Sequence, residues 1–312
     1  MKTYQKAALV VAHEGISGLL RRTREKAFRS QEPPPVDVPK EKAEYEQLAE
    51  EFREKALALG HADISQYYWY HTVDLGNGLV TPGEFDYRQS LSSLNFPSSM
   101  TGMNVLDVGS ATGFFAFEFE KRGATVVSVE LPSIADWDMP TGEDRDRTLK
   151  ELMADHHVNS IEELHHYHLD GPFEFCRTAL HSNVKRCYST IYDLSREKLG
   201  RDAFDMIFLG DVLLHTFAPL KALASVAPLC RDTLIVTQHL ADEDYDAPPM
   251  MMYAGGATPT LDRRTWWYPN KVCMEQMLMR LGFKSVSIVG HLHAVMRPYG
   301  WAHTAAVIHA KK

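Results

Sequence analysis

Between residues 105 and 130 the chain reads VLDVGSATGFFAFEFEKRGATVVSVE, in which an acid, a glycine-bounded turn and a second acid follow one another at fixed intervals. Gly109 and Gly113 let the backbone bend sharply and approach a ligand where a Cβ would collide. Glu130, 21 residues after Gly109, ends a β-rich run, where a carboxylate can accept hydrogen bonds from both hydroxyls of a ribose. Asp107 stands beside the turn, placed to order it and to attract a cationic amino group. The turn lacks the lysine of a phosphate-binding loop, and GSATG departs from the GxGxxG of nicotinamide enzymes.

Other residues of chemical interest lie further along. His215 and His239 each close an apolar run, and His71 sits in an aromatic segment upstream; imidazoles titrate near neutrality and are natural acceptors of a hydroxyl proton. Of the three, His215 is the favoured base. Trp69 and Tyr70 on one side and Trp266, Trp267 and Tyr268 on the other can wall a substrate site, exclude water and face a cation. The alternative for each is ordinary packing. His239, Asp242, Asp244 and Asp246 form an oxygen-rich group that reads as a solvated acidic loop, and His165, His166 and His168 lack zinc spacing, so no metal is expected.

These residues need elements to hold them. Asn104–Val108 reads as a short strand, Phe114–Arg122 as a helix and Thr125–Glu130 as a second strand, which together make a βαβ unit. Further strands fit Val184–Ile191, Phe204–Gly210, Leu234–His239, Ser285–Gly290 and Thr304–Ala310. The last two are joined by a loop around Arg297–Gly300, too short for a parallel crossover, so they should pair antiparallel. Upstream, residues 1–38 form a basic helix and a Pro-rich linker, 39–99 a helical and aromatic lid, and 100–312 the main domain. The loop from Asp242 to Leu261, with three methionines and two glycines, reads as a substrate cover.

The turn and its partner acid resemble motif I of the class I S-adenosylmethionine-dependent methyltransferases, over about residues 100 to 310. That resemblance implies an α/β, Rossmann-like, seven-stranded and mostly parallel sheet with an antiparallel last strand, here with an N-terminal helical extension. It implies S-adenosyl-L-methionine as cofactor, Ser110 and Thr112 at its methionine end, Glu130 and Leu131 at its ribose and Asp193 near its adenine. The family's usual turn has a glycine where this chain has Ala111. A narrower likeness is carried by WYHTVDLGNGLVTPGEFDYR, DWD at 136–138, FDMIFLGDVLLH and WWYPN, which resemble the subgroup containing the tRNA wobble-uridine carboxymethyltransferase. Architecture alone is taken from that subgroup.

With a net charge of −8, the chain does not favour a partner held by phosphate neutralisation, so a small molecule or sugar precedes nucleic acid as acceptor. The first thirty residues hold seven Lys or Arg against two Glu, and so offer a helix that could touch a membrane surface. Four scattered cysteines fit free thiols in a cytoplasmic protein. The expected activity is therefore methyl transfer to a hydroxyl of a small metabolite or sugar, with a histidine taking the proton. The alternatives are a tRNA wobble-base alkyltransferase and a cofactor-binding module without turnover. Oligomeric state is not legible.

Overall fold

The computed structural model describes residues 37–61, 64, 67–244, 247–257 and 264–312. The basic N-terminal helix, Asp246 and the far end of the 242–261 loop lie outside them. The first element, α1 (Val38–Ala58), begins where Asp37 caps the Lys40 N–H and a proline occupies the first turn. Phe52 and Ala56 are buried beneath it. An irregular stretch follows, and then the strands and helices of the main layer: β1 (Asn104–Val108), α2 (Phe114–Lys121), β2 (Thr125–Glu130), α3 (Glu143–Asp155), α4 (Gly171–Ala179), β3 (Lys185–Tyr188), β4 (Phe204–Gly210), α5 (Pro219–Val226) and β5 (Cys230–Gln238). Two three-residue strands, β6 (Met251–Tyr253) and β7 (Trp267–Pro269), pair with each other. Helix α6 (Lys271–Arg280) leads into β8 (Ser285–Met296) and β9 (Trp301–Lys311).

The sheet has seven strands in the order β3-β2-β1-β4-β5-β9-β8. From β3 to β5 every pair is parallel, and β9 runs antiparallel to both β5 and β8. This is the Rossmann-like arrangement with a reversed strand that the sequence led us to expect. The chain order changes direction between β1 and β4, so the turn after β1 opens at the switch point, where ligands gather in such sheets.

Apolar side chains on the two faces of the sheet make two large clusters. One joins Phe52, Trp69 and Phe85 of the upstream extension to Phe115, Phe119 and Phe208 of the main layer. The other packs Leu106, Ile207 and Leu234 against α5 and α6. Because the extension shares the first cluster, its loop 67–88 is fixed over the carboxyl edge of the sheet. Each fully buried Phe of this kind stabilises by about 2 to 3 kcal/mol, so packing offsets the conformational entropy lost in ordering the extension.

The final hairpin is longer than the sequence pattern indicated. Its strands extend to Met296 and start at Trp301, beyond the expected Gly290 and Thr304. Histidines and a threonine interrupt the apolar alternation there, yet the two strands continue to pair residue by residue out to Met296↔Trp301. No helix among the described residues is long and apolar enough to cross a membrane.

Candidate active site

Adjacent strand registers put Arg186, Ser128, Asp107 and Phe208 in one row across β3, β2, β1 and β4. The polar half of that row lies under the glycine turn. Arg186, with its side chain 4% exposed, donates from Nη1 to Ser110 Oγ at 3.1 Å, to the Ala111 carbonyl at 3.1 Å and to Ser128 Oγ at 3.2 Å. Its guanidinium covers the ring of Phe173 at 4.1 Å and stands 3.9 Å from Glu130 Oε2. This buried cation was not among the expected site residues. The polar spacing Ser128 and Asp107 on neighbouring apolar strands was the available signal, but β3 is a short edge strand whose sequence, KRCY, shows no buried face.

The turn itself is held from both sides. Gly109 and Gly113 have φ of +73° and +90°, and a Cβ on Gly109 would lie 2.6 Å from Val212 Cγ2. Ala111 also takes a positive φ, +46°. Its N–H donates to Glu130 Oε2 at 2.8 Å, while Leu131 N–H donates to Oε1 at 2.9 Å, so the second-strand acid is aimed at the turn. Asp107 accepts from the Ala116 N–H in the first turn of α2, and its Oδ2 is buried with no protein partner among the described residues. Burial pushes its carboxyl up to about 7, the neighbouring Arg186 cation pulling against that shift and Glu130 adding to it.

All of this opens into one cavity of about 1180 Å³ lined by Asp107, Gly109, Ala111, Glu130 and Leu131 at the strand tips. Single-ligand pockets commonly span about 300 to 1000 Å³, so there is room for two molecules side by side. The extension and the 137–168 region supply flat walls: Tyr68 stacks on His168 with ring centroids 4.0 Å apart, and Arg264 lies over Trp137 at 4.5 Å. Tyr68 Oη donates to Glu84 Oε2 at 2.5 Å.

The structure places the other expected residues unevenly. Tyr70, Tyr268, His215 and His239 line the cavity, and Trp69 reaches it while packing on Phe52 at 5.2 Å between ring centroids. Ser110 and Thr112 are buried and turned into the protein, Ser110 against Ser128 and Arg186 and Thr112 against His71, and neither lines the cavity. Asp193 is exposed, bonded to Thr190 Oγ1 at 2.7 Å and outside the cavity; Thr190 and Ile191 line it instead. Trp266 and Trp267 also fall outside the lining, their indole N–H groups donating to the carbonyls of Asp138 and Phe217.

The histidines differ in their surroundings. His71 is buried, its Nδ1 is 3.1 Å from Thr112 Oγ1, and burial drops its pKa to about 3, which corrects its assignment as a base working near neutrality. His215 Nδ1 faces the Arg264 carbonyl at 2.8 Å and His239 Nδ1 the Thr304 carbonyl at 3.1 Å. A ring nitrogen facing a carbonyl must carry the proton, so in each the lone pair is on Nε2. His303, which the sequence did not single out, also lines the cavity and meets Asp211. Among the described residues no group of three or more His, Cys, Asp or Glu side chains is placed to hold a metal.

Compared with family sequence models and with curated protein sequences, the chain matches none. Among solved structures it is similar to magnesium protoporphyrin IX methyltransferase from Synechocystis with bound S-adenosylhomocysteine, at 13% identity over 98% of this chain and 99% of that one, TM-score 0.43. It is similar also to an S-adenosylmethionine-dependent methyltransferase from Mesorhizobium loti, at 14% identity over 72% and 97%, TM-score 0.42. A third is the 1,6-didemethyltoxoflavin-N1-methyltransferase of Burkholderia thailandensis, at 16% identity over 68% and 72%, TM-score 0.40. The fold assignment rests on the strand order and registers of this chain.

Proposed function

We propose that the chain binds S-adenosyl-L-methionine and transfers its methyl group to a hydroxyl of a small metabolite or sugar held in the aromatic part of the same cavity. The observation that supports this most is the pairing at the strand tips. Glu130 is buried beside the turn, and Asp107 presents to the same space a buried oxygen with no protein partner among the described residues. One is suited to ribose hydroxyls and the other to an amino group. Thr190 and Ile191 offer a place for the adenine, and Leu131 flanks the ribose.

When bound, S-adenosylmethionine supplies an already activated methyl group. What remains for the protein is to position the acceptor, exclude water and receive the hydroxyl proton. Tyr68, His168 and Trp137 give flat surfaces against which a ring or the CH face of a sugar can rest. A histidine on the cavity wall takes the proton; His215, favoured from sequence, and His239 both stand there. The segments that resemble the wobble-uridine subgroup meet here too, since Tyr70 and Glu84, Asp136 and Asp138, and Asp211 and His215 share one cavity. The four cysteines, all free, suit a reducing compartment such as the cytoplasm.

Calorimetry with S-adenosylmethionine and S-adenosylhomocysteine tests the reading. Binding is expected for both, and Glu130→Ala should weaken it by about 1 to 3 kcal/mol through the loss of charge-assisted hydrogen bonds. No heat of association with either at millimolar concentration would end it. A mass screen for cofactor-dependent gain of a methyl group in hydroxylated metabolites then identifies the acceptor.

A further inference from the structure

The reversed strand extends past its parallel neighbour. β9 pairs with β5 only from Ala306 to Lys311, while Trp301 to Ala305 continue along β8 beyond the carboxyl end of β5. This overhang brings His303 to the tip of β4, where its Nε2 lies 3.2 Å from Asp211 Oδ2. Asp211 is itself tightly fixed. It has a left-handed φ of +50°, a conformation that side-chain-bearing residues seldom adopt, and its N–H faces both the carbonyl and the Oγ1 of Thr237, at 3.1 and 3.0 Å. The next residue, Val212, is the one pressed against Gly109 of the turn. Asp211 and His303 line the cavity that holds Asp107 and Glu130, and Asp211 Oδ1 is buried there with no protein partner among the described residues.

Resting on the function proposed above, we infer that His303, oriented by Asp211, is the group that takes the proton from the acceptor hydroxyl. A carboxylate at Nε2 selects the tautomer with the proton on Nε2, which leaves the lone pair on Nδ1. The same carboxylate balances the imidazolium that forms. His239 is oriented by the neutral Thr304 carbonyl, which fixes a ring without offering that charge. Among the described residues, the His–carboxylate pairs His165–Asp170 and His291–Glu243 lie outside the lining of the cavity.

The charges around His303 favour the role. Burial pulls its imidazolium down, but the hydrogen bond and charge of Asp211 outweigh it and hold the pKa above the ordinary value. The titratable groups that face the pair are Tyr87 from the extension, which senses Asp211, His293 from β8, which senses His303, and His239 at the end of β5, bonded to the residue after His303. Both tyrosine and His293 are held neutral at pH 7 by burial, so Asp211 is the charge that decides. In the reaction an oxygen–carbon bond forms at the acceptor while the carbon–sulfur bond of the donor breaks, its electron pair staying on sulfur. The hydroxyl O–H bond breaks with its proton passing to Nδ1 of His303 and thence to water.

The test is an imidazole NMR titration of the full chain with isotope-labelled histidine, the His303 signals being assigned with His303→Gln. In the unliganded protein His303 should titrate above 6.5, with the neutral ring protonated on Nε2. Asp211→Asn should lower that midpoint by roughly one pH unit or more. In the unaltered protein the positive sulfonium of S-adenosylmethionine should place the midpoint roughly one unit below that found with the neutral thioether S-adenosylhomocysteine. Equal midpoints in the two complexes, a neutral ring protonated on Nδ1, or a midpoint unmoved in folded Asp211→Asn would each overturn the inference. Calorimetry on the same samples separates the cases: if neither nucleoside binds, the proposed function falls and this inference with it, whereas intact binding with an indifferent His303 removes this inference alone.

Discussion

Arg186 donates a hydrogen bond from Nη1 to the carbonyl oxygen of Ala111 at 3.1 Å, so the turn rests on a buried cation. The same guanidinium reaches Ser110, Ser128 and the neighbourhood of Glu130 and Asp107. Arg186→Met keeps an unbranched apolar stem but removes the guanidinium that covers Phe173 and leaves two buried acids without a counter-charge. Removing one partner of a buried ionic group costs about 3 to 5 kcal/mol. Urea unfolding at pH 7.5 should show a loss of that order, and S-adenosylmethionine affinity should fall with it. If stability holds within about 0.5 kcal/mol, Arg186 is not the support of the turn.

Ala111 sits at φ +46°, where a Cβ crowds the following carbonyl oxygen at a cost of about 1 to 2 kcal/mol. Glycine removes that strain and gives back about 0.5 to 1 kcal/mol in lost chain entropy. Ala111→Gly should therefore stabilise the protein by about 0.5 to 1 kcal/mol in urea unfolding while leaving the Glu130 hydrogen bond to its N–H in place. A variant less stable than the parent would show that the methyl group makes contacts worth more than the strain.

The parts of the site that were legible in the sequence are those whose residues lie close together in the chain. Asp107, the glycine turn and Glu130 belong to one βαβ unit, with apolar strands that end cleanly at polar residues. The parts that were hidden depend on long-range pairing. His303 and Asp211 are separated by 92 positions and meet because a reversed strand overhangs the sheet. His71 and Thr112 are 41 apart, and the bond between them turns the Thr112 side chain toward the extension. Arg186 was missed because the run read as Val184–Ile191 pairs only over the four residues Lys185–Tyr188, too few positions to show which side is buried. Asp193 was placed by analogy with a strand end, but the short helical turn Ile191–Asp193 swings it into solvent.

Two buried groups give the site opposed responses to pH. Asp107, raised from 3.8 to about 7, favours the protonated form when folded, so its contribution to stability is full below about 4 and is lost as pH rises through 7. His71, lowered from 6.5 to about 3, favours the neutral form when folded, so its contribution is full above 6.5 and is lost as pH falls through 3. Each spans about three units, or up to roughly 4 kcal/mol, and across pH 4 to 6.5 the two slopes cancel. The unliganded protein should therefore show a flat urea midpoint over that window. Asp107→Asn should leave a midpoint that climbs with pH, and His71→Gln one that descends. Parallel profiles for the two variants would contradict both assignments.

Arg297 ties the tip of the β8–β9 hairpin to the extension. Its side chain is buried, with Nη2 donating to Thr72 Oγ1 at 2.6 Å and to the Gly83 carbonyl at 2.5 Å, and Nε to the same carbonyl at 3.2 Å. The backbone N–H of Arg297 adds a bond to the Glu84 carbonyl at 2.9 Å. A planar fork is needed to serve Thr72 and Gly83 together, and a lysine ammonium on a flexible stem does not reproduce it. Arg297→Lys should cost about 1 to 3 kcal/mol, since charge is retained but buried acceptors lose their donors. Because the same hairpin carries His303, the loss should spread along it. Hydrogen exchange should show the amides of Trp301 to Ala305 and those of Thr72 to Phe85 losing protection together, by roughly 10-fold or more for each 1.4 kcal/mol of local stability lost, while Val105 to Val108 in the centre of the sheet keep theirs. Exchange that rises in the hairpin but not in the extension would mean that the apolar cluster beneath Trp69 and Phe85, and not Arg297, holds the loop over the site.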